Sequence, residues 1–175
     1  MLNGVCMGKI KIAVSNSGPL IHLSQVGSFG ILDMIKDVYI TQEVFDEICS
    51  FNLPGRQDVK GSKTIKIKDL GKDAKNYSKL LSEEYSLDLG EATSISLAKQ
   101  EKVKLFLTDD LLARIVAKNM GLEVHGTIGI VLRAFRLGNI TKKKAKEVIG
   151  NLQTGSSLFI TTDLVRYVMN EIEKM

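Results

Sequence analysis

The chain has 175 residues, of which 44% are hydrophobic and 25% are charged, and its net charge is +4. This balance predicts a globular protein with an apolar core and excludes a disordered or low-complexity chain. No apolar run approaches the roughly 20 residues of a membrane span, and the first ten residues lack the apolar stretch of a signal peptide. Cys6 and Cys49 lack metal-ligand spacing and are interpreted as reduced thiols, so we expect a cytoplasmic protein.

Strands and helices alternate in the first part of the chain. The predicted elements are a strand over residues 10–14, a helix from the turn at Pro19 to about residue 27, a short helix over about 29–36, a strand over 38–40, a helix capped by Thr41, and a loop over 52–63. An edge strand is then predicted over 65–67. A polar helix over 72–85 follows, and its inward-facing residues are predicted to be Tyr77, Leu80, Leu81 and Tyr85.

The second part continues this alternation. Its predicted elements are a helix beginning near Gly90, a buried strand over 105–107, a helix over about 110–120, a strand at Val124, and helices over about 127–137, 141–152 and 162–173. Parallel strands need crossover connections, which are usually helices. The pattern therefore predicts one α/β domain over residues 1–175, with a mostly parallel central sheet in a three-layer α/β/α arrangement and a C-terminal helical extension over about 139–175.

Polar side chains follow two of the predicted strands directly. Thr108, Asp109 and Asp110 come after the apolar run Leu105–Leu107, and Asn16 comes soon after the first strand. A single acid at such a position is explained by capping of the next helix, but two adjacent acids are one more than a cap needs. Ligands bind at the carboxyl ends of strands in open parallel sheets, so we expect these residues to share one edge.

Two glutamates on predicted helices have simpler interpretations when each is taken alone. Glu91 follows Gly90 in the first turn of its helix, where the helix dipole favours a negative charge by roughly 0.3–1 kcal/mol. Glu47 lies in the middle of its helix, three residues after Val44, and an isolated glutamate there is typical of a solvated surface. The order of these glutamates and the strand-end acids along the chain is more informative about function than either glutamate alone.

Several segments, in this order, resemble the PIN-domain family of ribonucleases, and the resemblance covers nearly the whole chain. They are residues 14–21, 43–48, 89–95 and 107–110, followed by Ala113-Arg114 and Gly121-Leu122; residues 126–129, with Ala134 and Gly138, are similar to a toxin-like subgroup. The resemblance implies catalysis by Glu91, Asp110, Asp109 and Glu47. It also implies a metal held by Asn16, Glu91, Asp110 and Asp109, with Asp110 fitting the Thr-x-Asp pattern best.

The chemistry of these residues agrees with a metal site. Two carboxylates about 4 Å apart repel by roughly 4 kcal/mol at an effective dielectric of 20, so a cluster of them needs a cation. Hard oxygen ligands without a Cys or His cluster favour Mg²⁺ or Mn²⁺. Asn16 departs from the family pattern, which usually has aspartate there. The neutral amide lowers the expected metal affinity and the expected activity.

Basic side chains supply candidate contacts to an anionic substrate. Arg114 follows Asp110 by one helical turn, which fits an ion pair on the helix surface and a phosphate contact equally well. Lys142, Lys143 and Lys144 fit a solvated face or an RNA backbone track, and the basic stretch 56–79 could serve equally. The two histidines, His22 and His125, are interpreted as structural because no Cys or His partner lies nearby in sequence.

Three functions remain open at this point. The first is a metal-dependent endoribonuclease acting on single-stranded RNA, as the toxin component of a toxin–antitoxin pair. The second is a PIN-like module that binds RNA or a protein partner without cutting, which Asn16 favours. The third is a phosphoacceptor receiver domain, which is weaker because only Asn16 follows the first strand. The resemblance also implies an antitoxin protein as a partner and a homodimer.

Overall fold

The computed structural model of the protein describes residues 10–50 and 53–175. Its strands are β1 Ile10–Ser15, β2 Ile35–Ile40, β3 Ile65–Ile67, β4 Leu105–Leu107 and β5 Glu123–His125. They form a sheet in the order β3-β2-β1-β4-β5, and each neighbouring pair is parallel. The chain leaves β1 toward β2 on one side and returns to β4 on the other, so β1 and β4 flank a topological switch point.

Helices connect the strands and cover both faces of the sheet. They are α1 Ser17–Gln25, α2 Gln42–Ser50, α3 Arg56–Gly61, α4 Lys72–Tyr85, α5 Leu89–Gln100, α6 Leu111–Asn119, α7 Thr127–Arg136, α8 Lys142–Gly155 and α9 Thr162–Lys174, with a 3-10 helix at Phe29–Met34. In the described ranges, no helix is long and apolar enough to cross a bilayer. The predicted α/β fold with a parallel sheet is therefore confirmed.

Alternating side chains divide the core into two clusters. Ala13, Val38 and Leu107 contribute to one cluster, which also contains the buried faces of α1, α2, α7, α8 and α9. Val14 and Phe106 contribute to the other, with the buried faces of α4, α5 and α6. Because successive residues of a strand point to opposite faces, this division gives the three layers α/β/α. The helices after residue 139 share the first cluster with the sheet.

Three local predictions are wrong. Residues 56–61 of the predicted loop form α3, because Gly55 adopts a left-handed conformation, with φ of 102°, and its carbonyl accepts a bond from the Val59 amide. The short helix near residue 29 ends at Met34, and β2 begins at Ile35, opposite Ile10 of β1. In α4 two of the side chains that are predicted to face inward, Leu80 and Tyr85, are exposed.

Candidate active site

The ends of β1 and β4 bring Asn16 and Thr108 together. Ser15 lies opposite Leu107 in the register, and the Asn16 amide continues the ladder with a 3.1 Å bond to the Leu107 carbonyl. The Asn16 side chain donates from Nδ2 to Thr108 Oγ1 at 2.8 Å, and the Asp110 amide donates to the same oxygen at 3.2 Å. The buried Thr108 hydroxyl therefore joins the two strand ends.

Asn16 leaves one buried polar atom without a partner. Its side chain is only 5% exposed, and Oδ1 has no hydrogen-bond partner within the described part of the chain. Asn16 is also the N-cap residue of α1, yet its side chain makes no capping bond. Buried polar atoms are nearly always paired, so an orphaned carbonyl oxygen indicates a place where a cation or a donor would be favourable.

Glu91 and Asp110 extend the site from α5 and α6. Asp110 is the N-cap residue of α6, and its Oδ1 accepts a 2.7 Å bond from the Ala113 amide. Glu91 Oε2 accepts a 3.1 Å bond from the Asp88 amide. The pKa of Glu91 is raised to about 7: burial contributes most, the bond from the Asp88 amide opposes the rise, and the Asp110 carboxyl, within hydrogen-bonding reach, adds to it.

Glu47 reaches the rim of this site from α2. Its Oε1 accepts a 3.0 Å bond from the hydroxyl of Ser17, the residue after Asn16. Its Oε2 lies against the start of α5, since a Cβ built on Gly90 would come within 3.2 Å of it. Glycine at position 90 therefore gives Glu47 its place beside the helix that carries Glu91. The four residues Asn16, Glu47, Glu91 and Asp110 thus lie around one edge of the sheet.

Asp109 faces other partners, although it is adjacent to Asp110. Its Oδ2 lies 2.8 Å from His22 Nδ1 of α1 and also accepts from the Thr127 hydroxyl, and its Oδ1 accepts from the Thr127 amide at 2.7 Å. A Cβ on Gly126 would lie 2.7 Å from that oxygen, so only glycine fits there without a shift. Asp109 therefore ties the end of β4 to α1 and α7. We call His22, Asp109 and Thr127 the clamp.

The sequence did not reveal the clamp or the bridging role of Thr108. His22 precedes Asp109 by 87 positions, and Thr127 follows it by 18, so no local spacing links the three. The available signal was indirect: Gly126 and Thr127 follow β5 directly, at the same edge of the sheet as Asp109. The structural role of His22 stays a prediction, and its partner in the structure is the carboxylate of Asp109.

The basic candidates lie in two different places. Arg114 Nη1 is near Gly126, at 3.2 Å from a built Cβ, and in the described residues Arg114 forms no ion pair, including the one with Asp110. Lys144 lines a cavity with Gly27, beyond the C-terminal end of α1, whereas Asn16 caps its N-terminal end. A nine-residue helix is about 13 Å long, so Lys142, Lys143 and Lys144 lie away from the site.

The oxygen atoms at this edge suit a hard divalent cation. Glu91 and Asp110 supply carboxylates, and Asn16 supplies a buried amide oxygen that lacks a donor. Nowhere in residues 10–50 and 53–175 do three His, Cys, Asp or Glu side chains lie close enough to hold a metal. We name Asn16, Glu91 and Asp110 the pocket: two carboxylates and one amide fit Mg²⁺ or Mn²⁺, with less charge than a site of three or four acids.

Comparison with known proteins agrees with this arrangement. Residues 12–174 match a family model that is described as a PIN domain. The match spans all five strands except the first two residues of β1, and it includes the pocket, the clamp and both C-terminal helices. No curated protein and no solved structure matches the chain.

Proposed function

We infer the function from the premise that this chain belongs to the PIN-domain family: it is a divalent-metal-dependent endoribonuclease that cleaves single-stranded RNA. The orphaned Oδ1 of Asn16 beside the Glu91–Asp110 pair is the observation that carries this proposal. In the described residues Asn16 Oδ1 has no donor, and the Glu91 and Asp110 carboxyls lie beside each other, so a cation among these oxygens is favoured. Mg²⁺ or Mn²⁺ bound there would supply a Lewis acid that stabilises the negative charge developing on the phosphodiester.

The chain's own residues have distinct parts in this proposal. Asn16, Glu91 and Asp110 would hold the cation through side-chain oxygens, and Glu91 would also take a proton from an attacking water. Glu47 orients water at the rim. The N-termini of α1, α5 and α6 start at this edge, and their dipoles favour the negative phosphate.

Asp109 and Arg114 have supporting parts. The protein's own donors already engage both oxygens of Asp109, so we propose that it positions the strand end and binds no metal. Arg114 has no carboxylate partner in the described part of the chain, which supports the proposal that it contacts a substrate phosphate. Lys142, Lys143 and Lys144 are the weaker candidates for RNA contacts, because they lie away from the pocket and Lys142 and Lys144 already pair with glutamates.

An apolar surface beside the pocket supports a protein partner. Large apolar side chains at the start of α5 and along α6 are exposed, and they are Leu89, Leu111, Leu112 and Ile115. Exposed apolar clusters mark interaction surfaces when they are contiguous. This supports the proposal that the chain is the toxin component of a toxin–antitoxin pair and that an antitoxin protein covers this surface. A second copy of the chain, giving a homodimer, is the competing occupant.

A second candidate function is an RNA-binding or protein-binding module that does not cleave. Its support is the neutral Asn16, which leaves the pocket two carboxylates where the family usually supplies more charge. The two candidates have the same fold, and only the first one cleaves RNA. Metal-dependent product formation separates them.

The test is cleavage of a labelled single-stranded RNA by purified protein with Mg²⁺, Mn²⁺ or EDTA. Asp110→Asn keeps a good N-cap for α6 but removes the carboxylate charge, so cleavage should fall at least tenfold while folding is retained. Asp163→Asn on α9 is the matched control, because Asp163 is exposed and pairs only with Arg166. RNA binding without metal-dependent products would establish the binding module, and cleavage unaffected by Asp110→Asn would refute the assigned site.

A further inference from the structure

The positive charge of the chain is concentrated around the edge strand β3. Residues 56–79 contain eight lysines and arginines but only three aspartates, which gives five positive charges against a net +4 for the whole chain. The other 151 residues together are therefore slightly acidic. Such an asymmetry is the electrostatic footprint expected of a surface that meets a polyanion.

A groove runs along β3 within this basic segment. It encloses about 640 Å³, and its lining residues include Lys60, Lys66, Lys68, Tyr39, Phe45 and Asp37. The Lys68 ammonium lies 4.7 Å from the centre of the Tyr39 ring, which holds the charge at the groove wall. We call this feature the β3 groove.

The lysines of the β3 groove differ from those of α8 in their partners. In the described ranges, none of Lys60, Lys66 and Lys68 forms an ion pair, although Asp37 lines the same groove. Lys142 and Lys144, by contrast, pair with Glu173 and Glu147. Binding phosphates at the β3 groove therefore breaks no salt bridge, whereas binding at α8 competes with carboxylates.

The β3 groove and the pocket lie on two sides of one helix. Phe45 of α2 lines the groove, and Glu47 of the same helix accepts a bond from Ser17 at the pocket. An α-helix with its side chains is about 10–12 Å across, so a strand crossing α2 passes from one feature to the other. Tyr39 and Phe45 also add aromatic side chains to this basic groove, a combination that is typical of sites for single strands and not for duplexes.

From these observations we propose that the β3 groove binds the phosphate backbone of single-stranded RNA and leads the strand over α2 to the pocket. This inference rests on the proposed ribonuclease function for its choice of nucleic acid. The Lys60, Lys66 and Lys68 ammonium groups contact successive phosphates. The cluster at Lys142, Lys143 and Lys144 contributes little to RNA binding, because glutamates already neutralise part of its charge.

The experiment compares two triple variants with the same loss of charge. Lys60→Ala/Lys66→Ala/Lys68→Ala and Lys142→Ala/Lys143→Ala/Lys144→Ala are each titrated with a fluorescent single-stranded RNA in EDTA, at several salt concentrations. Since each phosphate contact contributes about 0.7 to the slope of log K against log salt, the first variant should lose about 2 from that slope. Its affinity should fall at least tenfold at low salt, and the α8 variant should stay within about twofold of wild type.

Folding and self-association are checked on the same samples. Both triple variants should melt within a few degrees of wild type, because the removed side chains lie at the surface, and both should keep the wild-type elution volume. An unchanged slope for the β3 variant, loss of binding only in the α8 variant, or no RNA binding by wild type would each overturn the groove assignment. A changed oligomeric state in place of changed RNA affinity would do the same.

Binding in EDTA does not depend on cleavage, so failure of the groove and failure of the nuclease can be told apart. If the β3 variant binds normally while Asp110→Asn abolishes cleavage, the nuclease stands and the groove is wrong. If wild type binds through the groove but never cleaves, the groove stands and the protein is a binding module.

Discussion

The clamp and the pocket contain adjacent residues, Asp109 and Asp110, but the surroundings of the two carboxylates are opposite in kind. In the clamp, His22 and two donors of Thr127 engage both oxygens of Asp109. In the pocket, Glu91 faces another acid and Asn16 Oδ1 has no partner in the described residues. A carboxylate that is satisfied by protein donors holds a structure together, whereas a group left without donors is available for a ligand.

Strand geometry explains how neighbours reach such different surroundings. Successive side chains of an extended chain point to opposite sides. Asp109 meets α1 and α7, which pack on one face of the sheet, while Asp110 meets Glu91 of α5, which packs on the other. The paired acids of the sequence therefore have separate surroundings, which supports the proposal that Asp110 is a metal ligand and Asp109 is not.

The largest expected difference between the two regions is in stability. Asp109→Ala removes every bond of the clamp and leaves His22 and the Thr127 donors without their partner, so we expect a loss of about 3 kcal/mol. Asp110→Ala loses the cap of α6, about 1 kcal/mol, and this is partly offset by relief of repulsion with Glu91. Thermal and urea unfolding of both variants in EDTA measure the contrast.

Two further results bear on this first prediction. Asp109→Asn should fall between wild type and Asp109→Ala, since an amide can still accept one bond but cannot satisfy both Thr127 donors and His22. Equal losses in Asp109→Ala and Asp110→Ala would contradict the distinction between clamp and pocket.

The second prediction concerns pH and is of intermediate size. The pKa of Glu91 is raised from 4.5 to about 7, so the folded state keeps a proton that the unfolded state releases between these values. Metal-free stability should therefore decline as pH rises from about 4.5 to 7. Partial exposure limits the decline to about 1–2 kcal/mol. Urea unfolding in EDTA at pH 4.5, 6 and 7.5 measures it.

Glu91→Gln is the matching variant for this pH dependence. It removes the titrating group at nearly constant volume, so the decline between pH 4.5 and 7 should be lost. Glu83→Gln on α4 is a surface control, because Glu83 is exposed and forms no ion pair within the described part of the chain. A decline of the same size in wild type and Glu91→Gln would assign it to another group.

Much of the fold was accessible from the sequence, because local patterns carry it. Alternation with lysine before Val14 and the short apolar run around Phe106 predict the strands, and the strand-end positions of Asn16 and Asp110 predict the edge of the candidate site. The sequence pattern predicts a loop at Gly55 and so misses helix α3, which begins directly after the left-handed Gly55. The apolar content of this helix is small, with Val59 as the buried residue, so no periodicity signalled it.

The division between clamp and pocket was not accessible, because it depends on contacts between distant segments. Nothing in the spacing around Asp109 indicates that His22 and Thr127 will take its oxygens. Likewise, the sequence alone favours the basic run at Lys142 and the basic segment around β3 equally as RNA contacts. The ion pairs distinguish them: Lys144–Glu147 is a local i,i+3 pair, whereas Lys142–Glu173 joins distant segments and forms only on folding.

The smallest expected effect is at Asn16, and it tests the pocket most directly. Asn16→Asp adds a carboxylate at nearly constant volume. In wild type the Thr108 hydroxyl accepts a bond from Asn16 Nδ2, and in the variant the same hydroxyl would rotate and donate to the new carboxylate. The fold should tolerate the change sterically. In EDTA, however, a third carboxylate beside Glu91 and Asp110 should lower stability by about 1 kcal/mol through like-charge repulsion.

Divalent metal should reverse that loss in the variant more than in wild type. An ion that binds only the folded state stabilises it by mass action, and the added charge strengthens binding, so the rise in melting temperature with Mn²⁺ should be larger for Asn16→Asp. RNA cleavage should increase in parallel if the pocket is a nuclease site. Asn170→Asp on the exposed side of α9 is the matched control. If Mn²⁺ stabilises Asn16→Asp no more than wild type, residue 16 is not a ligand, and the orphaned oxygen beside the strand end belongs to a site that binds without metal.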